Sequence, residues 1–167
     1  MALFSQAATE EDFKHVRELF LEYLYWANEM LNERYGIHFD IQSMVAHDMT
    51  KLEIYFPTHG RLILATIESE VVGIACLKRI RDDIGDIKRM YVRPAFRGRG
   101  IGRELLEYLI NEARAIGYAI LRLDSARFMK SAHSLYRSAG FKEIEEYSES
   151  EIPEEFRQHW VFMEKSL

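Results

Sequence analysis

Apolar positions along the chain follow two rhythms, and their alternation lays out the elements. Leu3 to Ala7 reads as a short strand. Thr9 ahead of Glu10, Glu11 and Asp12 has the form of a helix cap with an acidic first turn. Phe13, Val16, Leu19, Phe20, Tyr23, Leu24, Ala27, Met30 and Leu31 then recur at helical spacing, which predicts a long amphipathic helix. Asn32 to Phe39 is expected as a loop. Asp40 is expected to cap a second helix reaching about Tyr55, with Pro57 and Gly60 closing it.

The rhythm then changes to strands. Arg61 to Ile67 and Val71 to Ile80 flank the polar turn Glu68-Ser69-Glu70 and predict a hairpin. Asp82-Asp83 is a second turn, and Asp86 to Val92 a further strand. Leu105, Leu106, Leu109, Ile110 and Ala113 share one helix face that Gly117 ends. Tyr118 to Asp124 predicts a short buried strand. Ser131 is expected to cap a helix ending at Gly140, and Phe141 to Tyr147 and His159 to Glu164 are expected as final strands. Antiparallel strands followed by one β-α-β crossover predict an α+β (mixed α/β) fold, with helices covering a central sheet. Residues 1–167 are expected to form a single domain, a length that suits one core.

Composition narrows the function classes. The net charge is −5, yet Lys88, Arg89, Arg93, Arg97, Arg99 and Arg103 crowd one short window. A confined cationic cluster on an acidic chain suits a small polyphosphate and argues against a nucleic-acid partner. The single cysteine, Cys76, lies in an apolar run and is expected as a buried strand residue. The six histidines form no metal-ligand spacing, so no metal is expected. No segment resembles a secretion signal or a membrane span, so the expectation is a cytoplasmic protein with no membrane partner.

The cationic window has internal order. A strand ends at Pro94, the turn Arg97-Gly98-Arg99-Gly100-Ile101-Gly102 follows, and a helix begins. Glycines permit tight turning and close approach of a ligand, and free N–H groups at a helix start attract anions. The spacing fits neither a dinucleotide-binding turn nor a P-loop, which speaks against a nucleotide-dependent oxidoreductase.

Two motifs together give a sharper reading. Arg97-Gly98-Arg99-Gly100-Ile101-Gly102 matches [Q/R]-x-x-G-x-[G/A]. Ala132-His133-Ser134-Leu135-Tyr136-Arg137-Ser138-Ala139-Gly140-Phe141 resembles a second signature with Ala, Leu-Tyr and Gly-Phe. With the strand Lys88 to Pro94, these resemble the GNAT superfamily of acyl-CoA-dependent N-acetyltransferases. The resemblance implies a mostly antiparallel central sheet with a splayed strand pair. Acetyl-CoA would be the co-substrate, without a metal. Met90, Tyr91 and Val92 would lie along the pantetheine arm, and the backbone of Arg97, Gly98, Arg99, Gly100, Ile101, Gly102 and Arg103 would hold the pyrophosphate. Tyr136 would be the general acid, and Asp86 a candidate base, ahead of Glu53 and Glu68. The backbone N–H of Met90 or Val92 would serve the oxyanion. Met129 stands where many relatives carry a cofactor-contacting asparagine.

The implied acceptor is a small-molecule or peptide amine, approached through Tyr23, Tyr25, Trp26, Glu29, Glu33, Tyr35, Asp40 and the acidic stretch 147–160. A monomer or a homodimer is equally compatible. A non-catalytic acyl-CoA-binding module of the same fold is the alternative reading.

Overall fold

The computed structural model describes all 167 residues. In chain order it contains β1 (Leu3–Gln6), α1 (Glu10–Tyr35), α2 (Ile41–Thr50), β2 (Arg61–Ile67), β3 (Glu70–Arg81) and β4 (Ile84–Val92). Then come α3 (Ile101–Ile116), β5 (Ile120–Ala126), α4 (Lys130–Ser138), β6 (Lys142–Ile144) and β7 (Trp160–Ser166). One seven-stranded sheet runs β1-β2-β3-β4-β5-β7-β6. Every pairing is antiparallel except β4 with β5. The fold is α+β, as the order of apolar rhythms predicts.

Core formation explains the layering. On one face Leu105, Leu106, Leu109 and Ala113 of α3 pack with Leu77, Ile87 and Leu121, all buried. On the other, Val16, Leu19, Phe20 and Leu24 of α1 pack with Leu62, Leu64, Ile74 and Cys76. Cys76 is fully buried, and burial pushes its thiol far above the usual range.

Helix ends follow local chemistry, with some departures from expectation. Thr9 and Asp12 form a reciprocal capping box at the start of α1. This helix runs through Asn32 to Tyr35, because the stop is Gly36, at φ 67, whose N–H bonds back to Asn32 and Leu31. Asp40 caps α2 through the Ser43 N–H, but α2 ends at Thr50, and a tight 3-10 turn covers Leu52–Tyr55. Ser131 does not cap α4; Met129 occupies the cap position and supplies no side-chain hydrogen bond. The strand expected over 141–147 shortens to Lys142–Ile144, an edge strand paired only with β7.

One irregularity shapes the centre of the molecule. Ile74 faces Tyr91 and Cys76 faces Lys88, so Arg89 and Met90 together oppose Ala75 in a β-bulge. Arg89 takes φ 52 there. Beside the bulge, β4 pairs with β5 only from Ile84–Ile120 to Ile87–Leu123. Beyond that point β5 stays with β7 as far as Ala126–Trp160, and β4 departs.

Candidate active site

The gap between the departing strands leaves β4 with free backbone groups. The Arg93 N–H donates to the Val72 carbonyl of β3 at 2.8 Å. Neighbouring residues of a strand aim their backbone groups oppositely, so Val92 and Met90 aim theirs away from β3, into the gap. The Val92 carbonyl accepts from Arg97 Nε at 2.8 Å.

The turn after β4 reaches α3 with open amides. Gly98 and Gly100 sit at φ 79 and 84, a region that glycine enters without strain. Gly100 precedes α3 with no side-chain cap, and the first bond of the helix is Glu104 N–H to Gly100 carbonyl. The N–H groups of Ile101, Gly102 and Arg103 therefore face outward without intrahelical partners. Gly102 has ordinary helical geometry, and a Cβ there would meet only Leu135, at a comfortable 3.6 Å. Neither backbone nor packing requires glycine at 102.

Two cavities meet in the gap. One, about 500 Å³, runs from the cradle (Gly98, Gly100, Gly102) past Val92 and Met90, between Trp26 and Arg34 of α1 and Lys130 to Leu135 of α4. The other, about 530 Å³, lies under α1 and α2 and is closed by Glu151, Ile152 and Pro153. Tyr23, Met90, Met129 and Tyr136 line both. A long ligand in the first and a small one in the second would meet at these four residues.

A charged cluster lines the second cavity. Lys88 Nζ lies 3.2 Å from Asp124 and 3.5 Å from Asp86. Ser150 Oγ donates to Asp124 at 3.3 Å. Arg89 gives Nε and one terminal nitrogen to a single oxygen of Asp48, at 3.1 and 2.9 Å. Burial raises the Asp86 carboxyl to about 6 despite Lys88. Burial also opposes the Lys88 ammonium, but Asp86 and Asp124 outweigh it and hold its pKa above the usual lysine value.

Comparison with known proteins fits this geometry. The profile of the Acetyltransferase (GNAT) family matches residues 13–141. The chain belongs to this family. Relatives within reach include the N-acetylaspartate synthetase of Danio rerio, 33% identical over 109 residues that make up 64% of this chain and 39% of that protein. An IAA acetyltransferase of Azospirillum brasilense is 38% identical over 82 residues, 48% of this chain and 54% of that protein. The chain thus spans about half or less of the length of these two relatives. A crystal structure of the PaiA N-acetyltransferase from Thermoplasma acidophilum in complex with coenzyme A superimposes with TM-score 0.76 at 20% identity, covering 100% of this chain and 99% of that one. That likeness is one of fold.

As a GNAT chain, the protein distributes its sequence-predicted site residues unevenly. Met90, Tyr91, Val92, Arg97, Gly98, Gly100, Ile101, Gly102 and Tyr136 line the first cavity together. The Arg97 N–H, however, already donates to Pro94. The Arg97 guanidinium lies over the rings of Trp26 and Tyr91, at 5.7 and 5.5 Å, instead of over the cradle. Arg99 lies over Phe96. Of the cations counted as one cluster, Lys88 and Arg89 belong to the second cavity, and Arg93 pairs with Glu22 and Glu18. The bulge and strand alternation send them there.

Tyr136 is 7% exposed and packs on Phe141 at 5.9 Å. Burial pushes its phenol above the usual tyrosine value, so it is protonated at neutral pH. Asp86 is 2% exposed and stands behind Lys88, outside the cavity lining; Asp124 lines it instead. Glu53 and Glu68 are exposed or lie in a turn, and neither lines either cavity. Of the acceptor-side residues suggested by sequence, Tyr23, Trp26, Glu151, Ile152, Pro153 and Trp160 reach a cavity. Tyr25 bonds Gln42, Tyr35 stacks on His159 and Asp40 caps α2.

Sequence reasoning missed Asp124, which a count of residues past the β4–β5 pairing would have placed in the gap. Ser125, Lys130 and Ser131 are the stand-ins expected near Met129, and all three line a cavity. Of those, Ser125 reaches Met129 directly. Met129 Sδ accepts from Tyr23 Oη at 3.8 Å and from Ser125 Oγ at 3.5 Å. Ser125 Oγ is in turn 3.0 Å from Nε2 of the buried His133. Burial, aided by Lys130, lowers the His133 pKa, so the ring is neutral.

Proposed function

We propose that the protein is an N-acetyltransferase that moves an acetyl group from acetyl-CoA to a primary amine by direct attack. The observation that carries this reading is the meeting of two cavities at Met90 and Tyr136, with an open anion cradle at the far end of one and a carboxylate in the other.

The amides of Ile101, Gly102 and Arg103 receive the pyrophosphate, assisted by the dipole of α3. Met90 and Val92 offer N–H and C=O groups to the amides of the pantetheine arm, as a strand edge does to a peptide. The Val92 carbonyl, which accepts from Arg97 Nε, keeps a second lone pair for that contact. Bound acetyl-CoA supplies the thioester.

On the opposite side, Asp124 draws the acceptor ammonium and takes or relays its first proton. Asp86 and Lys88 fix the charge balance behind it. The neutral amine attacks the thioester carbon: a C–N bond forms and the C–S bond breaks. The N–H of Met90 or Val92 faces the developing oxyanion. Tyr136 gives its proton to the departing sulfur, and the second proton lost by nitrogen restores the phenol. The products are an N-acetylamine, free CoA thiol and one proton.

The test is thiol release from acetyl-CoA with an amine panel, alongside calorimetry with CoA. Amine-dependent release supports the reading. Tight CoA binding with no release on any amine overturns it in favour of a non-catalytic acyl-CoA-binding module.

A further inference from the structure

The second cavity also carries information about which amine it takes. We infer that the acceptor is a primary monoamine on an uncharged apolar body, lacking the carboxylate of an amino acid. This rests on the transferase reading above and deepens it.

Charge decides the first half. The cavity contains just two cations, Lys88 and Arg89. Both are engaged by carboxylates, Lys88 by Asp86 and Asp124 and Arg89 by Asp48. Three lining carboxylates, Asp48, Asp124 and Glu151, against those two cations leave one negative charge, with the lining His47 counted as neutral. Adding the partners behind them, Asp86 and Lys78, leaves the same balance. One bound ammonium completes it. An acceptor carboxylate would enter a net-negative, desolvated space whose cations are already committed, and burying an unpaired charge is strongly unfavourable.

The walls decide the second half. Away from the charged cluster the cavity is bounded by Leu24, Leu31, Phe39, Ile41, Met44 and Trp160. Asn28 holds Phe39 in place by accepting its backbone N–H at 2.8 Å. Such a wall rewards burial of hydrocarbon or an aromatic ring. It offers nothing to the second and third ammonium groups of a polyamine.

The relative named for N-acetylaspartate synthesis matches over 39% of its own length. An acceptor with two carboxylates is the opposite of what this cavity accommodates.

The experiment compares 2-phenylethylamine with phenylalanine, which differ by one carboxylate, and with spermidine. The assay is thiol release at saturating acetyl-CoA. We expect kcat/KM for 2-phenylethylamine to exceed both others by at least about tenfold, equivalent to about 1.4 kcal/mol. Equal or better use of phenylalanine or spermidine overturns the acceptor class. So does acetylation of aspartate or another amine while 2-phenylethylamine fails. No release with any amine overturns the transferase reading itself.

Asp48→Asn supplies a second measurement, because it frees Arg89 to meet a carboxylate. The ratio of 2-phenylethylamine to phenylalanine use should fall at least about fivefold. Both substrates are measured on one sample, so the folded fraction cancels. An unmoved ratio refutes the charge argument.

Discussion

Replacing Tyr136 by phenylalanine removes one oxygen at the point where the two cavities meet. The ring keeps its packing on Phe141, at a centroid distance of 5.9 Å, so the change in stability should stay below about 1.5 kcal/mol, as for isosteric core swaps. Cofactor affinity should hardly move, because the cradle amides lie at the far end of the first cavity. Catalysis should suffer. A positioned general acid contributes about 10²- to 10⁴-fold, or roughly 2.7–5.4 kcal/mol of barrier. We therefore expect kcat to fall by at least about 100-fold, with the CoA dissociation constant within about twofold of the parent. Stopped-time thiol release gives the first quantity and calorimetry the second. Burial raises the Tyr136 phenol, so the parent should also show no loss of activity from phenol ionisation up to about pH 10. A fall in kcat smaller than about threefold refutes the acid role. A parallel collapse of kcat and CoA affinity would assign the tyrosine to packing.

The glycines of the cradle should separate by cause. Gly102→Ala adds a helix-favouring residue where the Cβ has room, so stability should rise by up to about 1 kcal/mol while CoA affinity drops at least about tenfold. Equal CoA affinity would show that no ligand approaches residue 102. Gly100→Ala must hold φ 84 with a Cβ and should lose about 1–2 kcal/mol as well as affinity, measured by urea unfolding and calorimetry. Asp86→Asn tests the buried carboxyl, whose pKa of about 6 lies above the unfolded value of about 3.9. The stability that this group contributes is whole below about pH 4 and is lost as pH rises through 6. The variant should therefore gain on the parent by up to about 3 kcal/mol between those limits, less what Lys88 loses in pairing. Parallel stability profiles from pH 4 to 7 would refute the assignment.

The elements and the glycine turn into α3 were legible because each has a local cause. Helix periodicity, the Thr9 cap and the glycines at 98, 100 and 117 act within a few residues. What failed to read out depends on distant partners. The expected strand over 141–147 stops at Ile144 because only β7 lies beside it. Lys88, Arg89 and Arg93 looked like phosphate ligands by proximity in sequence, yet strand alternation and the bulge give each a carboxylate from elsewhere in the chain. Asp86 has the right residue type for a base, but Lys88 stands between it and the cavity, which no spacing rule reveals. Asp124 became visible only once β5 was seen to leave β4.

That departure gives the sheet an unpaired edge in its interior. An exposed edge strand ordinarily invites another chain to add on and begin aggregation. Here α1 and α4 wall the edge on both sides, and the side chain of Arg97 rests on the Val92 carbonyl. Covering of this kind shields an open edge from pairing with another chain. Substitutions that thin those walls, at Trp26 or Leu135, put solubility at risk as well as activity.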